Sequence, residues 1–360
     1  MRIPIETLLK LAIQNKASDI HIRGDSKVFL RINGQIRPIN NSEMTIKDVE
    51  DIIYPVFTNR LKNKYAENHE VDFGYDMGDM GRFRFNVFQR QGKITVVARH
   101  IPSVIPSMEQ LRLPVNSLKK MLQYERGIVL VTGITGSGKS TTLASLINYV
   151  NTNSFSHIIT LEDPIEFVFR EKNCIISQRE LGVDTNSFVD ALRVAMRQDP
   201  DIIMVGEMRD VETTRAAITA AETGHLVFST MHTMDAVRTI NRIIDMYPPH
   251  QQTQVRLQLS ESLKGVISQR LLPCTQGGRV AAVEVMINTP NVSKLIEENH
   301  LPEINKAMVK GAFYGMQSFN QALISLYKQG LCKIEDVLGA ASNPEDVRLA
   351  LRGIETGSGL

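Results

Sequence analysis

The 360-residue chain has no tryptophan, only three cysteines, and a formal net charge of just +2. So small a charge surplus builds no global positive field to gather nucleic acid, and the missing tryptophan weakens any aromatic stacking platform for single strands. A nucleic-acid partner is therefore not expected. Cys174, Cys274 and Cys332 lie far apart and are odd in number. That argues against a disulfide framework or a Cys-x-x-Cys zinc site and fits idle thiols in a reducing compartment. No stretch approaches the roughly 18 apolar residues of a membrane span. Residues 1–16 lack the basic and apolar regions of a secretory leader. The expectation is a cytoplasmic protein with no direct membrane insertion, reaching a membrane only through partners.

What is present is an ordinary globular balance, with 42% apolar and 22% charged residues and enough length for two domains. Residues 3–16 repeat apolar positions at helical spacing. The segments DIHIRG, KVFLRING and QIRPI then read as strands, with a hairpin at Asn33–Gly34. Residues 45–65 look helical, and RFRFNVFQRQGKITVVARHI alternates like a hairpin turning at Gly92. An α+β domain over residues 1–101 fits this pattern. Pro102, Pro106 and Pro114 crowd the next segment, so residues 102–118 read as an extended linker.

From Gly127 the texture changes. GIVLVTG, SHIITLED, DIIMVGE and GHLVFSTMHT are apolar strand candidates separated by helical stretches. Such alternation implies an α/β domain with a mostly parallel sheet, here over residues 119–342. After Ala281 the chain reads as a small helical bundle, and residues 343–360 as a flexible tail.

Gly133-Ile134-Thr135-Gly136-Ser137-Gly138-Lys139-Ser140, followed by Thr141, matches GxxxxGK[ST] between a strand and a helix. In that context the loop amides and the helix N-terminus cradle phosphates, and the lysine reaches the β- and γ-phosphates. The Ser140 hydroxyl is placed to ligate Mg²⁺. ATP with Mg²⁺ is the expected ligand pair.

In parallel α/β sheets, chemistry gathers at the carboxyl ends of strands. DIIMVGE ends in Glu207, with Gly206 where a metal-binding aspartate is usual. Glu207 thus suits polarising the attacking water or holding Mg²⁺ through water. SHIITLED leads into Glu162, Asp163 and Glu166 around one turn. Glu162 or Glu166 is placed to share the water-activating work, and the alternative is capping by Asp163 with solvent-facing glutamates. His225 and His232 flank GHLVFSTMHT, and a polar group at that strand end suits sensing a γ-phosphate, although a lone histidine is more often structural.

These pieces resemble the Walker A, Asp box, Walker B and His box of the type II/IV secretion ATPase superfamily. They read as the P-loop at 133–140, LEDPIEF at 161–167, RQDPDIIMVGEMRD at 197–210 and TAAETGHLVFSTMHT at 219–233. Within it the chain is most similar to the type IV pilus retraction ATPases of the PilT type, over residues 5–345. SDIHIR, GRFRFNVFQR and SESLKGVISQRLLP agree as well. The resemblance implies a PAS-like N-terminal domain, a RecA-like C-terminal domain and a homo-hexameric ring. It implies arginine-finger roles for Arg84 and Arg99, which by residue type alone are ordinary surface charge. It also implies Glu207 as catalytic glutamate, Glu166 as the Asp-box acid, and His225 and His232 as the His-box pair. The implied partners are the inner-membrane pilus platform protein and a paralogous ATPase, with the chain cytoplasmic and peripheral to the inner membrane.

Two departures stand out. Ile134 occupies a position where the family commonly has proline, and residues 292–311 depart from an Ala-Ile-Arg-Asn-like helix of the retraction motors. An accessory retraction motor or a type II secretion-like motor therefore stays open beside retraction itself, with a nucleic-acid translocase a more distant alternative. The four-cysteine zinc element typical of extension and type II secretion ATPases does not appear.

Overall fold

The computed structural model describes residues 4–32, 34–101 and 104–354. The chain divides into two compact units. One runs to Val104 and takes in Pro164–Val168, and the other comprises Ile105–Asp163 and the chain from Phe169 on.

The first unit contains α1 (Ile5–Gln14), β1 (Asp19–Arg23), β2 (Ser26–Ile32), β3 (Gln35–Met44), α2 (Ile46–Ile53), α3 (Asn59–Asn68), β4 (Glu70–Asp76), β5 (Arg82–Arg90) and β6 (Lys93–Ile101). Its six strands form one sheet in the order β3-β2-β1-β6-β5-β4, every neighbouring pair antiparallel. Ile5, Leu8, Leu9 and Ala12 bury one face of α1, as their spacing of three to four residues dictates. Period-two alternation does the same for β5, where Phe83, Phe85 and Val87 are buried and the residues between them point away. Phe85 stacks on Phe73 at 5.2 Å between centroids. The β5–β6 hairpin turns at Gln91–Gly92 as expected. Asn33 of the other expected hairpin lies outside the described residues. The helical span at 45–65 is two helices rather than one, because Pro55 interrupts it. Thr45 and Thr58 each cap a fresh N-terminus by accepting an amide hydrogen bond.

The second unit contains α4 (Val115–Met121), β7 (Gly127–Thr132), α5 (Lys139–Asn153), β8 (His157–Glu162), β9 (Ile175–Glu180), α6 (Phe188–Ala195), β10 (Ile202–Val205), α7 (Val211–Glu222), β11 (Leu226–Met231), α8 (Ala236–Asp245) and α9 (Pro249–Ser262). It continues through β12 (Leu263–Pro273), β13 (Arg279–Ile287), α10 (Pro290–Glu297), α11 (Glu303–Lys310), α12 (Phe319–Lys328), α13 (Ile334–Ala340) and α14 (Pro344–Leu351). Seven strands form the sheet, ordered β13-β12-β7-β11-β10-β8-β9. All pairs are parallel except β12–β13. β7, β10 and β11 are buried along their whole length, as strands covered on both faces must be.

Three features correct the sequence reading. The strands β9, β12 and β13 join the four expected ones, so the chain stays extended to Ile287 before turning helical. The polar residues of ISQR and SQRE had masked their strand character. The linker expected over residues 102–118 already turns helical at Val115, and Pro102 and Ser103 lie outside the described residues. The expected tail is helical over Pro344–Leu351, where Val347 is buried in a cluster with Phe319, Leu323 and Val337. Pro344 in its first turn and the Asn343 cap start that helix. Residues 355–360 lie outside the described residues.

Candidate phosphate-binding and hydrolytic site

β7 delivers the chain into the glycine-rich loop, and α5 begins at Lys139 with Gly138 as its N-cap. Gly133 has a φ of +147°, and a Cβ there would fall 2.5 Å from both the Gln269 carbonyl oxygen and the Ser137 hydroxyl. Only glycine lets the loop leave β7 so close to β12. The Gln269 amide donates back to the Ser137 carbonyl at 2.7 Å, fixing the loop's far side.

Lys139 is buried, and its Nζ donates to the carbonyls of Gly133 (2.8 Å) and Ile134 (3.2 Å). Burial pushes its ammonium below the usual lysine range, and the charge of Glu207 opposes that shift. A cavity of about 280 Å³ opens over Gly133–Ser137, bounded by Met234, Gln269, Arg270, Leu271, Arg279 and Ala340. A second, of about 510 Å³, adjoins Gly138, Thr141 and Thr142 and is walled by Gln110–Leu113 and the β12–β13 turn. Gln269, Leu271 and Arg279 border both. The larger cavity is the size of a small-molecule site, and the smaller adjoins backbone amides at a helix start.

Ile134, Thr135 and Gly136 are exposed at the loop tip, and the Ser140 hydroxyl belongs to an exposed residue in the first turn of α5. Glu207 follows β10 and is set by its neighbours. The Ser229 and Thr230 hydroxyls donate to the carbonyls of Val205 and Gly206, and the Met208 amide donates to the Thr230 carbonyl. Its carboxylate meets Arg209 at 2.8 Å and His232 Nε2 at 3.3 Å. Burial works against the charge of Glu207. The Arg209 hydrogen bond and His232 outweigh it, so the carboxyl stays below its usual range and remains a base. His232 Nδ1 lies 3.5 Å from the Thr135 hydroxyl. The ring thus spans from the phosphate loop to Glu207.

These residues fit Mg²⁺ held in the sparse manner of P-loop sites, by one hydroxyl and a water-bridged carboxylate. A Cβ at Gly206 would lie 3.1 Å from the Leu161 carbonyl oxygen, which leaves little room for a directly coordinating aspartate.

The other candidates are placed differently. Glu162 is buried at the end of β8, where its carboxylate accepts from Thr160 (2.8 Å) and Gln178 (3.0 Å), so its local role is tying strands together. Glu166 belongs to Pro164–Val168 and clusters with the first unit. His225 lies at the amino end of β11, the opposite end from His232 and about 20 Å away at strand rise. Its Nδ1 meets the Ala220 carbonyl at 2.9 Å, which closes the end of α7. Arg84 and Arg99 are directly opposed on β5 and β6 of the first unit. Arg84 pairs with Asp72 at 2.7 Å and Arg99 with Asp19 at 2.8 Å, offsetting the repulsion of a like-charged cross-strand pair. The residues that sequence reasoning missed are Gln269, Arg270 and Arg279 on the β12–β13 hairpin. The SQR of VISQRLLP carried a trace of the first two.

A family model described as type II/IV secretion system protein matches residues 2–338. The chain belongs to this family. Among its relatives, the type IV pilus retraction ATPase PilT of Pseudomonas aeruginosa is 44% identical over 342 residues, covering 95% of this chain and 99% of that protein. The twitching motility protein of Neisseria gonorrhoeae is 47% identical, covering 89% and 85%. The type IV pilus ATPase PilU of P. aeruginosa is 39% identical, covering 96% and 91%. A crystal structure of the pilus retraction motor PilT with bound ADP superposes with a TM-score of 0.89 at 46% identity, covering 96% of this chain and 98% of that one. This secretion-family member is therefore a nucleotide-binding ATPase with the expected two-part architecture. Among its described residues no helix is long and apolar enough to cross a membrane.

Proposed function

We propose that this chain is the subunit of a homo-hexameric motor that hydrolyses ATP to power retraction of type IV pili. The observation that carries the reading is the His232 bridge between Thr135 of the phosphate loop and Glu207. It joins a phosphate cradle to an ionised base, and it occurs in a chain 44% identical to PilT over nearly its whole length.

The loop amides, Lys139 and Ser140 bind the phosphates of ATP, with Gly133 through Thr141 forming the cradle. Ser140, and Glu207 through a water, would hold Mg²⁺, which would supply charge neutralisation at the β- and γ-phosphates. Glu207 accepts a proton from the attacking water, and Arg209 and His232 hold its carboxylate in place. His232 senses the γ-phosphate and reports its loss to Thr135. Arg84 and Arg99 act as arginine fingers once freed from Asp72 and Asp19. Glu166 is the Asp-box acid assisting them, with Glu162 as its buried support. Hydrolysis reopens the subunit, and closure passing round the ring does work on a partner.

The partner is the inner-membrane pilus platform protein, met from the cytoplasmic side, with a paralogous ATPase as co-worker. An accessory retraction role is the second reading, favoured by the departure over residues 292–311.

The deciding experiment is a strain carrying only the Lys139→Ala protein, scored for surface pili and twitching. Excess pili with lost twitching is the expected result. Bare cells would mean extension instead, and unchanged piliation and motility would remove retraction in favour of the accessory role.

A further inference from the structure

The seven-stranded sheet carries a buried carboxylate that the hydrolytic scheme does not use. Glu284 on β13 is 4% exposed. Its Oε1 accepts the backbone N–H of Ala236, the first residue of α8, at 2.8 Å. That N–H is one of the donors a helix start leaves without an internal partner. Glu284 stands opposite Ser268 on β12, and Ser268 stands opposite Thr132 on β7. The Thr132 hydroxyl donates to the Ser268 hydroxyl at 3.0 Å, and Ser268 faces Glu284 across the β12–β13 register. A polar row thus crosses three neighbouring strands of the sheet.

Both ends of the row lead to the hydrolytic site. Thr132 is the residue before Gly133, so it is the stem of the phosphate loop. Ala236 ends the short loop 232–235 that begins with His232. That loop is tied again where the Thr233 and Thr239 hydroxyls meet at 2.6 Å.

We propose that Glu284 is a positioning residue for ATP hydrolysis. As a carboxylate it pins the start of α8 and, through Ser268 and Thr132, the stem of the phosphate loop, so that His232 keeps its place between Thr135 and Glu207. When protonated it releases that grip. The inference rests on the reading of Glu207 and His232 given above.

The direction of the control follows from hydrogen-bond polarity. The carboxylate accepts the Ala236 amide with the Ser268 hydroxyl facing it, and bonds to a charged acceptor are about twice as strong as neutral ones. Protonation removes the charge from the acceptor and so weakens the hold on the Ala236 amide.

Every packed element contributes to the balance. Burial raises the carboxyl, the Ala236 amide lowers it, Asp235 at the cap of α8 raises it, and Ser268 and Arg270 of β12 lower it, leaving it at about 7. Arg270 is held elsewhere, under Phe319 at 3.9 Å and by hydrogen bonds to the Ala340 carbonyl and the Ser342 hydroxyl. Arg238 of α8 pairs with Asp235 at 3.3 Å. The hold is therefore complete above neutral pH and lost as pH falls through about 7.

The test uses the full chain, with steady-state ATPase activity measured from about pH 6 to about pH 9 alongside fluorescent-ADP affinity. Wild type is expected to lose turnover on the acid side of neutrality. Glu284→Gln cannot ionise, so its profile is expected to lose that limb and to sit about tenfold below the wild-type plateau, with ADP affinity unchanged. A Glu284→Gln profile that superimposes on wild type overturns the proposal, even with a lowered melting temperature, since that is what a purely structural role produces. If Glu284→Gln does not fold, Ser268→Ala serves instead. It removes the facing hydroxyl that favours the ionised form, so the acid limb is expected to move to higher pH, and an unmoved limb overturns the proposal. Full turnover in Glu207→Gln marks failure of the underlying hydrolytic reading, and failure of the Glu284 proposal leaves that variant inactive.

Discussion

The two sheets of this protein treat charged residues in opposite ways. In the antiparallel sheet of the first unit, charges are neutralised where they stand. Arg84 pairs with Asp72 one strand away, and Arg99 with Asp19. In the parallel sheet of the second unit, strand direction carries polar groups to one edge. The phosphate loop after β7, Glu207 after β10 and His232 after β11 all leave from carboxyl ends, and these meet within hydrogen-bond reach. The amino edge of the same sheet holds His225, whose ring meets the Ala220 carbonyl at the end of α7 and the Thr223 hydroxyl. Strand polarity, more than residue type, decides which side chains meet at a reaction centre.

The largest effect should come from the carboxyl edge. Glu207→Gln keeps the shape of the site but removes the base, so turnover is expected to fall about 100-fold or more with nucleotide affinity retained. Phosphate-release kinetics and ADP titration check it, and near-wild-type turnover would take Glu207 out of the chemistry.

A smaller effect is expected from the antiparallel sheet. Arg84→Ala should lower turnover about tenfold while leaving nucleotide affinity and assembly intact. Turnover and ring shape both unchanged would return Arg84 to the ordinary surface charge its ion pair with Asp72 suggests.

The smallest and sharpest comparison lies within one strand. His232→Ala should lower turnover several-fold with little loss of stability. His225→Ala should do the reverse, costing about 1 kcal/mol through the lost contact with the α7 end and leaving turnover within about twofold. Equal kinetic penalties for the two histidines would break the polarity argument.

Much of the site was legible because its pieces are short and contiguous. The glycine loop announces itself between strand and helix. Glu207 and His232 each end an apolar run, so their address follows from the strand that carries them. His225 has the same local texture as His232 and differs only in the end of the strand it occupies, which residue type alone does not weigh. The β12–β13 hairpin stayed hidden for another reason. Gln269 and Glu284 acquire their places by strand pairing and contact with residues distant in sequence, more than 130 residues earlier in the case of the Gln269–Ser137 contact. Their polar side chains also break the apolar pattern that marks a strand. The helix at Pro344–Leu351 was missed because one buried residue, Val347, anchors it, too little to show as periodicity.

Lys139 has one more implication. Its ammonium is already dehydrated by burial and already coordinated by two carbonyl oxygens of its own loop. An arriving polyphosphate would therefore exchange neutral oxygens for anionic ones around a cation already largely withdrawn from water. Much of the cost of stripping hydration from that charge is thus met during folding, and what remains is for the loop's backbone to give up its own lysine.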